Sequence, residues 1–251
     1  KKLDLGDIIG VEGTLFRTRT GELTVNVTDV RLLVKALRPM PEKYHGLTDI
    51  ETRYRQRYVD LLANQDSKEV FRKRARTMAS LRQFLDARDY LEIESPIMQA
   101  IPGGANAKPF ITHHHALGVD LYLRVAQELA IKRCLVGGFE RVYELNRNFR
   151  NEGLSTQHNP EFTMLEYNEA YKDFNDYMDL TEEMLREVAI DVTGSAVVNY
   201  QGTPIDFGKS FNRMTMAESV CEFNPGLTSS DCIDIGPLTR LAQTLGIEVN
   251  A

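Results

Sequence analysis

The chain has 251 residues, which is enough for one large domain or two small domains with a sizeable core. Its hydrophobic content of 42% and charged content of 26% are those of a globular protein, and no apolar run approaches the roughly 20 residues of a membrane-spanning helix. A net charge of −6 argues against indiscriminate nucleic-acid binding but leaves room for a local basic face. The three cysteines lack the spacing of metal ligands and, without a legible signal peptide, predict reduced thiols in a cytoplasmic protein.

The N-terminal stretch has the pattern of a small sheet. Residues 8–37 alternate apolar and polar side chains, with Thr20-Gly21 as a turn between two runs, and so predict a β-hairpin. A third strand is expected at residues 32–37. Two or three short strands bury too little apolar surface to stand alone, so the pattern leaves open a small β-extension or part of a larger unit.

Two helices are predicted next. Prolines and a glycine mark residues 38–48 as a linker, after which Asp49 can cap a helix. That helix has apolar and aromatic residues at helical spacing: Tyr54, Tyr58, Leu61 and Leu62. Asp66-Ser67 then opens a longer helix, whose apolar seam is formed by Phe71, Ala75, Met78, Leu81 and Leu85.

The opposite face of the longer helix is basic, with Arg72, Lys73, Arg74, Arg76 and Arg82. Such a face is usually solvated. Contact with an RNA backbone is the alternative interpretation, because clustered cations of this kind neutralise phosphates.

Short strands and a tight loop follow. Residues 90–94 alternate as a strand that stops at Pro96, which cannot donate to a ladder. Residues 102–105, with the sequence PGGA, predict a loop where the backbone can approach a ligand closely. The run His113-His114-His115 suggests a metal, but neighbouring strand residues point to opposite faces, so at most two of them converge. Since no further ligand follows at useful spacing, a structural or pocket-wall role is the better interpretation.

The central stretch predicts a helix and a long hairpin. Residues 126–135 form an amphipathic pattern that ends at Gly137-Gly138, with Glu128 in the first turn. The segments VYELNRNF and FTMLEY then predict two strands joined by a polar tip. Such a hairpin can present a guanidinium fork to a phosphate and an aromatic face to a base. Its candidate residues are Arg150, Glu152, His158, Asn159, Phe162 and Glu166.

The C-terminal third shows elements but no evident chemistry. A helix is predicted at residues 173–189, a short hairpin at NYQGTPIDF, and two more helices at residues 214–222 and 236–245.

Several of these segments resemble one family. Arg150-Asn151-Glu152, the polar loop and Phe162 resemble motif 2 of the class II aminoacyl-tRNA synthetases. The segments HNPEFTMLE, IPGGANAKPFITHHHAL and LVGGFERVYELNRNFRNEG are similar to bacterial lysyl-tRNA synthetases in particular. The resemblance covers nearly the whole chain in register. It implies an α+β fold with a mixed, mainly antiparallel sheet flanked by helices and preceded by part of an OB-fold β-barrel.

The resemblance also implies a domain plan. Residues 1–37 correspond to the C-terminal part of an OB-fold anticodon-binding domain, residues 38–65 to a linker and helix, and residues 66–251 to the N-terminal part of the catalytic domain. The helix, strand and Pro96 resemble motif 1, which implies a homodimer. A glycine-rich motif 3 and the acidic ligands of Mg²⁺ do not follow, so we expect a truncated synthetase whose metal ligands lie outside this segment.

As an activity, the resemblance implies that lysine is activated with ATP and transferred to tRNA(Lys). Arg150 would be catalytic, and ATP would bind to Arg150, Glu152, His158, Asn159 and Phe162. Lysine would bind to Gly104, Glu128, Arg150, Glu166 and Asn168. Aspartyl enzymes carry a lysine at the position of Ile131, whereas this chain is apolar there. The family usually has a tyrosine where Asn168 stands, which is a departure in the ammonium pocket.

Two alternatives stay open on the sequence. One is a synthetase paralogue that attaches an amino acid to a protein, although the N-terminal strands argue against it because such paralogues resemble the catalytic domain alone. The other is a non-catalytic RNA-binding or regulatory module. Against the second, Arg150, Glu152 and Phe162 are all present and indicate nucleotide recognition.

Overall fold

The computed structural model describes residues 3–38, 40 and 47–249. The chain divides into two compact units, the first through Met78 and the second from Ala79. Over the described ranges the fold is α+β, with seven helices, and every sheet contains antiparallel pairing. None of the helices in these ranges is long and apolar enough to cross a membrane.

The first unit begins with a hairpin of β1 (Ile8–Arg17) and β2 (Leu23–Val34). The predicted turn is confirmed, since the amide of Thr18 donates to the carbonyl of Glu22 at 3.0 Å. The separate third strand predicted at residues 32–37 is wrong, because β2 continues unbroken to Val34. No glycine or proline interrupts β2, and register shifts in β1 at Ile8/Ile9 and Glu12/Gly13 keep the two strands paired.

Two short helices replace the single helix that was predicted after Asp49. The linker predicted at residues 38–48 lies mostly outside the described residues. The Asp49 cap is confirmed, because its carboxylate accepts from the amide of Thr52 at 2.7 Å. The helix then breaks at Gln56, which divides it into α1 (Ile50–Arg55) and α2 (Arg57–Ala63). Arg53 and Arg57, on either side of the break, both bond to the buried carboxylate of Asp60, which needs such partners.

The longer helix is confirmed as α3 (Gln65–Asp86). Its seam becomes buried toward the C-terminal end, where the side chain of Leu85 is 0% exposed. The basic face is partly neutralised within the chain, because Arg72 pairs with Glu69 and Arg82 with Glu92.

The second unit contains two three-stranded sheets and a helix that packs on one of them. The elements are β3 (Leu91–Glu92), β4 (Met98–Gln99), β5 (Ile111–His114), β6 (Val119–Leu123), α4 (Glu128–Val136), β7 (Arg141–Phe149) and β8 (Glu161–Glu169). One sheet has the order β3-β7-β8, with β3 parallel to β7, and the other has the order β4-β6-β5. Helix α4 packs against β7 and β8 and begins at Glu128, two residues later than predicted, because the side chain of Gln127 is bonded to the sheet.

The predicted C-terminal elements are confirmed. They are α5 (Phe174–Thr193), β9 (Val197–Tyr200), β10 (Thr203–Asp206), α6 (Met216–Phe223) and α7 (Ile235–Thr244). Asp173 starts α5 with a capping box, in which its side chain and that of Asp176 each accept from the backbone of the other. The three cysteines are free thiols.

The burial of α3 gives a stability prediction. Leu85→Ala should lower the free energy of unfolding by about 2–5 kcal/mol, because it removes a fully buried side chain and leaves a cavity. Val70→Ala on the same helix is the matched control, since Val70 is 65% exposed and its truncation should cost within about 0.5 kcal/mol. Urea unfolding followed by circular dichroism measures both, and equal losses would contradict the placement of Leu85 in the core.

Candidate active site

The candidate residues lie along one face of the hairpin formed by β7 and β8. Cross-strand partners in an antiparallel pair share a face, and residues two apart on one strand do so as well. Phe162, Glu166 and Asn168 on β8 therefore face the same side. Their partners on β7, in the same order, are Asn148, Glu144 and Val142.

At the tip of the hairpin, a cavity of about 500 Å³ brings five predicted residues together: Arg150, Glu152, His158, Asn159 and Phe162. Gly153 and Gln157 also line it and were not predicted. Both belong to the polar tip between the predicted positions, so their proximity was readable once the hairpin was assigned.

The guanidinium of Arg150 is held at the edge of this cavity. Its Cζ lies 5.2 Å from the centroid of the Phe162 ring, and its Nε donates to the carbonyl of Val125 at 3.3 Å. The backbone amide of Arg150 donates to the carbonyl of Pro160 at 2.9 Å. Within the described ranges its two terminal nitrogens have no protein partner, so this edge of the fork can meet an anion.

Glu152 and His158 are fixed by the backbone around them. The amide of Lys108 donates to Glu152 Oε1 at 3.2 Å, and the amide of Asn151 donates to the carbonyl of Lys108 at 2.7 Å. At the tip, Nδ1 of His158 is hydrogen-bonded to Oγ of Ser155 at 2.7 Å. The second carboxylate oxygen of Glu152 and Nε2 of His158 stay available to a ligand.

A second group of predicted residues surrounds the start of α4. Gly104 has a φ of +91°, and a Cβ there would lie 3.1 Å from the Cβ of Ala126 and 3.5 Å from that of Glu128. Glycine is therefore required for the loop to approach α4 this closely. Glu128 is half-exposed and pairs with Lys132 one turn along the helix.

Glu166 joins this second group through its electrostatics. Burial raises the pKa of its carboxyl group, and repulsion from Glu128 and Glu144 raises the pKa further against the attraction of Arg124. The structure also places Glu128 near this strand, because the side chain of Gln127, the residue before it, donates to the carbonyl of Met164 on β8 at 3.2 Å. Asn168 is half-buried two residues further along the same strand face.

Two of the three consecutive histidines converge, as the alternation of a strand allows: the rings of His113 and His115 lie 5.3 Å apart between centroids, edge to face. His113 and His114 are neighbours on β5, and His113 contacts Asp120 at 2.7 Å between Nδ1 and Oδ1. Among the residues that the structure describes, no group of three or more His, Cys, Asp or Glu side chains is placed to hold a metal ion.

Sequence reasoning missed a buried ion pair behind the site. Arg124 and Glu144 are 0% and 1% exposed, and Nη1 of Arg124 lies 2.6 Å from Oε1 of Glu144. A signal was present, because both residues interrupt otherwise apolar strand patterns, LYLRVA and VYEL, and a charge at such a position needs a partner.

Comparisons with known proteins show the family of the chain. A family model described as tRNA synthetases class II (D, K and N) matches residues 49–236. The proteins named lysine--tRNA ligase from Thioalkalivibrio sulfidiphilus, Aeromonas hydrophila and Edwardsiella ictaluri are 60%, 57% and 55% identical to the chain. These alignments cover 98%, 99% and 99% of the chain but 50%, 50% and 49% of the relatives. The chain thus spans about half the length of the curated relatives it matches.

The family match covers most of the chain and includes every candidate residue from Gly104 to Asn168. The chain therefore belongs to the class II tRNA synthetases of the D, K and N group.

Proposed function

We propose that the complete natural protein is a lysine–tRNA ligase, which activates lysine with ATP and transfers it to tRNA(Lys). Three findings support this: the family match, the name lysine--tRNA ligase carried by relatives at 55–60% identity, and the two residue groups around the hairpin. The substrates, the transfer step and the residue roles below are parts of this proposal.

In the proposed complex, the cavity at the hairpin tip binds ATP. Adenine stacks on Phe162, and its amino group donates to the carboxylate oxygen of Glu152 that Lys108 leaves available. His158 and Asn159 follow the phosphates. The terminal nitrogens of Arg150 bridge the α-phosphate and the substrate carboxylate, which a planar guanidinium does better than a lysine.

The placement of Glu128 beside β8 is the single observation that carries the choice of lysine: Gln127, directly before it, donates to the carbonyl of Met164, two residues from Glu166. Burial and then repulsion from Glu128 raise the pKa of Glu166, and a bound ammonium group would offset that repulsion. The pair of Glu128 with Lys132 is half-exposed, so it is weak enough to give way to a substrate. Gly104 would let the loop backbone approach the substrate, and Asn168 would lie at the end of the proposed lysine site. The buried Ile131 offers no cation to an acidic side chain.

The activation step needs no nucleophile from the protein. A carboxylate oxygen of lysine forms a bond to the α-phosphorus of ATP, and the bond from that phosphorus to the bridging oxygen breaks, with the electron pair leaving on pyrophosphate. The chain supplies alignment and charge neutralisation, chiefly through Arg150. Magnesium stays an expectation from the resemblance, and none of these roles uses it.

Other parts of the proposal extend beyond the site. By resemblance, residues 1–37 would be the C-terminal part of an OB-fold anticodon-binding domain, residues 38–65 a linker and helix, and residues 66–251 the N-terminal part of the catalytic domain. The helix and strand around Pro96 would form a homodimer interface. The protein would act in the cytoplasm.

The amino-acid preference tests the proposal directly. Pyrophosphate exchange by the complete natural protein should be fastest with lysine, since an uncharged isostere leaves two carboxylates unpaired and can be rejected by about 10⁴ or more. Aspartate and asparagine are the comparison substrates. Faster exchange with aspartate than with lysine would refute the assignment, and transfer to a protein instead of tRNA would favour a paralogue.

The role of Arg150 is tested by Arg150→Lys, which keeps the charge and loses the bidentate fork. Single-turnover adenylate formation should fall by at least about 10²-fold, the scale for removing one donor that stabilises transition-state charge. Arg147→Lys on β7, the strand that ends one residue before Arg150, is the control, because that side chain is half-exposed and pairs with Glu161. If Arg150→Lys stays within about threefold of the parent, Arg150 has no catalytic role.

A further inference from the structure

The connection from β6 to α4, residues 124–127, is a buried strap that crosses the sheet carrying the site. Its four residues, Arg124, Val125, Ala126 and Gln127, are at most 4% exposed. The strap is bonded to the sheet at both ends. The amide of Phe149 donates to the carbonyl of Arg124 at 2.9 Å, and Nε2 of Gln127 donates to the carbonyls of Glu144 and Met164 at 2.6 and 3.2 Å.

The side chain of Arg124 fixes the first end of the strap. Its Nε donates to the carbonyl of Arg147 at 2.9 Å. Its Nη1 donates to Oε1 of Glu144 at 2.6 Å, and to Oγ and the carbonyl of Ser95 at 2.8 and 3.2 Å. The third nitrogen, Nη2, has no partner in the described part of the chain. A planar guanidinium with two bonded nitrogens holds both position and orientation, which an ammonium group does not.

The strap also contacts Arg150 and directly precedes Glu128, the two residues proposed to bind the substrate. The carbonyl of Val125, one residue after Arg124, accepts from Nε of Arg150 at 3.3 Å. Glu128 is the first residue of α4, directly after Gln127. The orientation of the Arg150 fork therefore depends on where the strap holds the Val125 carbonyl.

We propose that Arg124 is a positioning residue for Arg150, acting through the carbonyl of Val125. The inference rests on the proposed amino-acid activation and adds the residue that orients its main cation. A small displacement of a catalytic group is costly: a misplacement of about 1 Å can reduce a rate on the order of 10²-fold.

The test is a double-mutant cycle in the complete natural protein. Arg124→Lys keeps the charge opposite Glu144 but loses the hydrogen bonds that Nε and Nη1 make together. It should therefore lower kcat of pyrophosphate exchange by roughly tenfold to a hundredfold. If Arg124 acts through Arg150, the double variant with Arg150→Lys should be no slower than Arg150→Lys alone, within about threefold. Multiplicative losses in the double variant would overturn the proposal.

Arg186→Lys is the matched control for a purely structural effect. Arg186 has the same pattern of bonds, with Nε on the carbonyl of Phe207 at 3.0 Å and Nη2 on Glu182 at 2.7 Å, and it lies on α5. Its replacement should leave kcat unchanged. Equal losses of kcat in Arg124→Lys and Arg186→Lys would also overturn the proposal.

Two additions keep the result decisive. If Arg124→Lys fails to fold, Ser95→Ala is the milder variant, because it removes only one hydrogen-bond acceptor of Arg124. It should show a smaller loss of kcat, with the same coupling to Arg150. The cycle is also run on the Kd for ATP by calorimetry, which needs no turnover. Failure of lysine to support exchange would refute the proposed function, whereas multiplicative losses in the cycle, or an equal loss of kcat in Arg186→Lys, would refute the positioning role alone.

Discussion

The buried ion pair of Arg124 and Glu144 is the interaction on which the rest of the site depends. It joins three separate parts of the second unit, since Ser95 after β3, Glu144 on β7 and the strap before α4 meet at one guanidinium. A buried pair is weak evidence for stability, because desolvation of both charges offsets most of their attraction. Removing one partner, however, leaves an uncompensated buried charge. Few other arrangements of the side chains around Glu144 are therefore stable. The pair holds the strap in a fixed position against the sheet.

Strand geometry sets how far apart the two groups of candidate residues lie. Successive residues on one strand rise by about 3.3 Å, so Phe162 and Glu166, four residues apart on the same face, lie about 13 Å apart along β8. One end of the face offers an aromatic ring beside Arg150, and the other offers a carboxylate beside Glu128. Phe162 and Glu166 were predicted in one hairpin motif, and the register of β7 and β8 places them on the same face.

Local signals in the sequence were sufficient for much of the fold, and long-range contacts explain what they missed. Asp49 was readable as a cap because a cap involves only the next three residues. The break at Gln56 was not readable, since it accompanies arginines that share Asp60. In the site, Arg150, Glu152 and Phe162 followed from a motif, whereas Arg124 and Glu144 are partners 20 residues apart that no local pattern connects.

Charge balance at this face also bears on which amino acid the site can accept. Arg124 is paired with Glu144, so in the proposed complex Glu166 and Glu128 would be the carboxylates that face a ligand. As the pH falls through the raised pKa of Glu166, its carboxylate takes up a proton and its attraction for a cation is lost. Above that pH, the proposed site would repel an acidic side chain, and an uncharged side chain would leave Glu166 without a cation. The buried pair would contribute to this selectivity without touching the substrate, because the attraction of Arg124 lowers the pKa of Glu166 and offsets part of the rise that Glu144 causes.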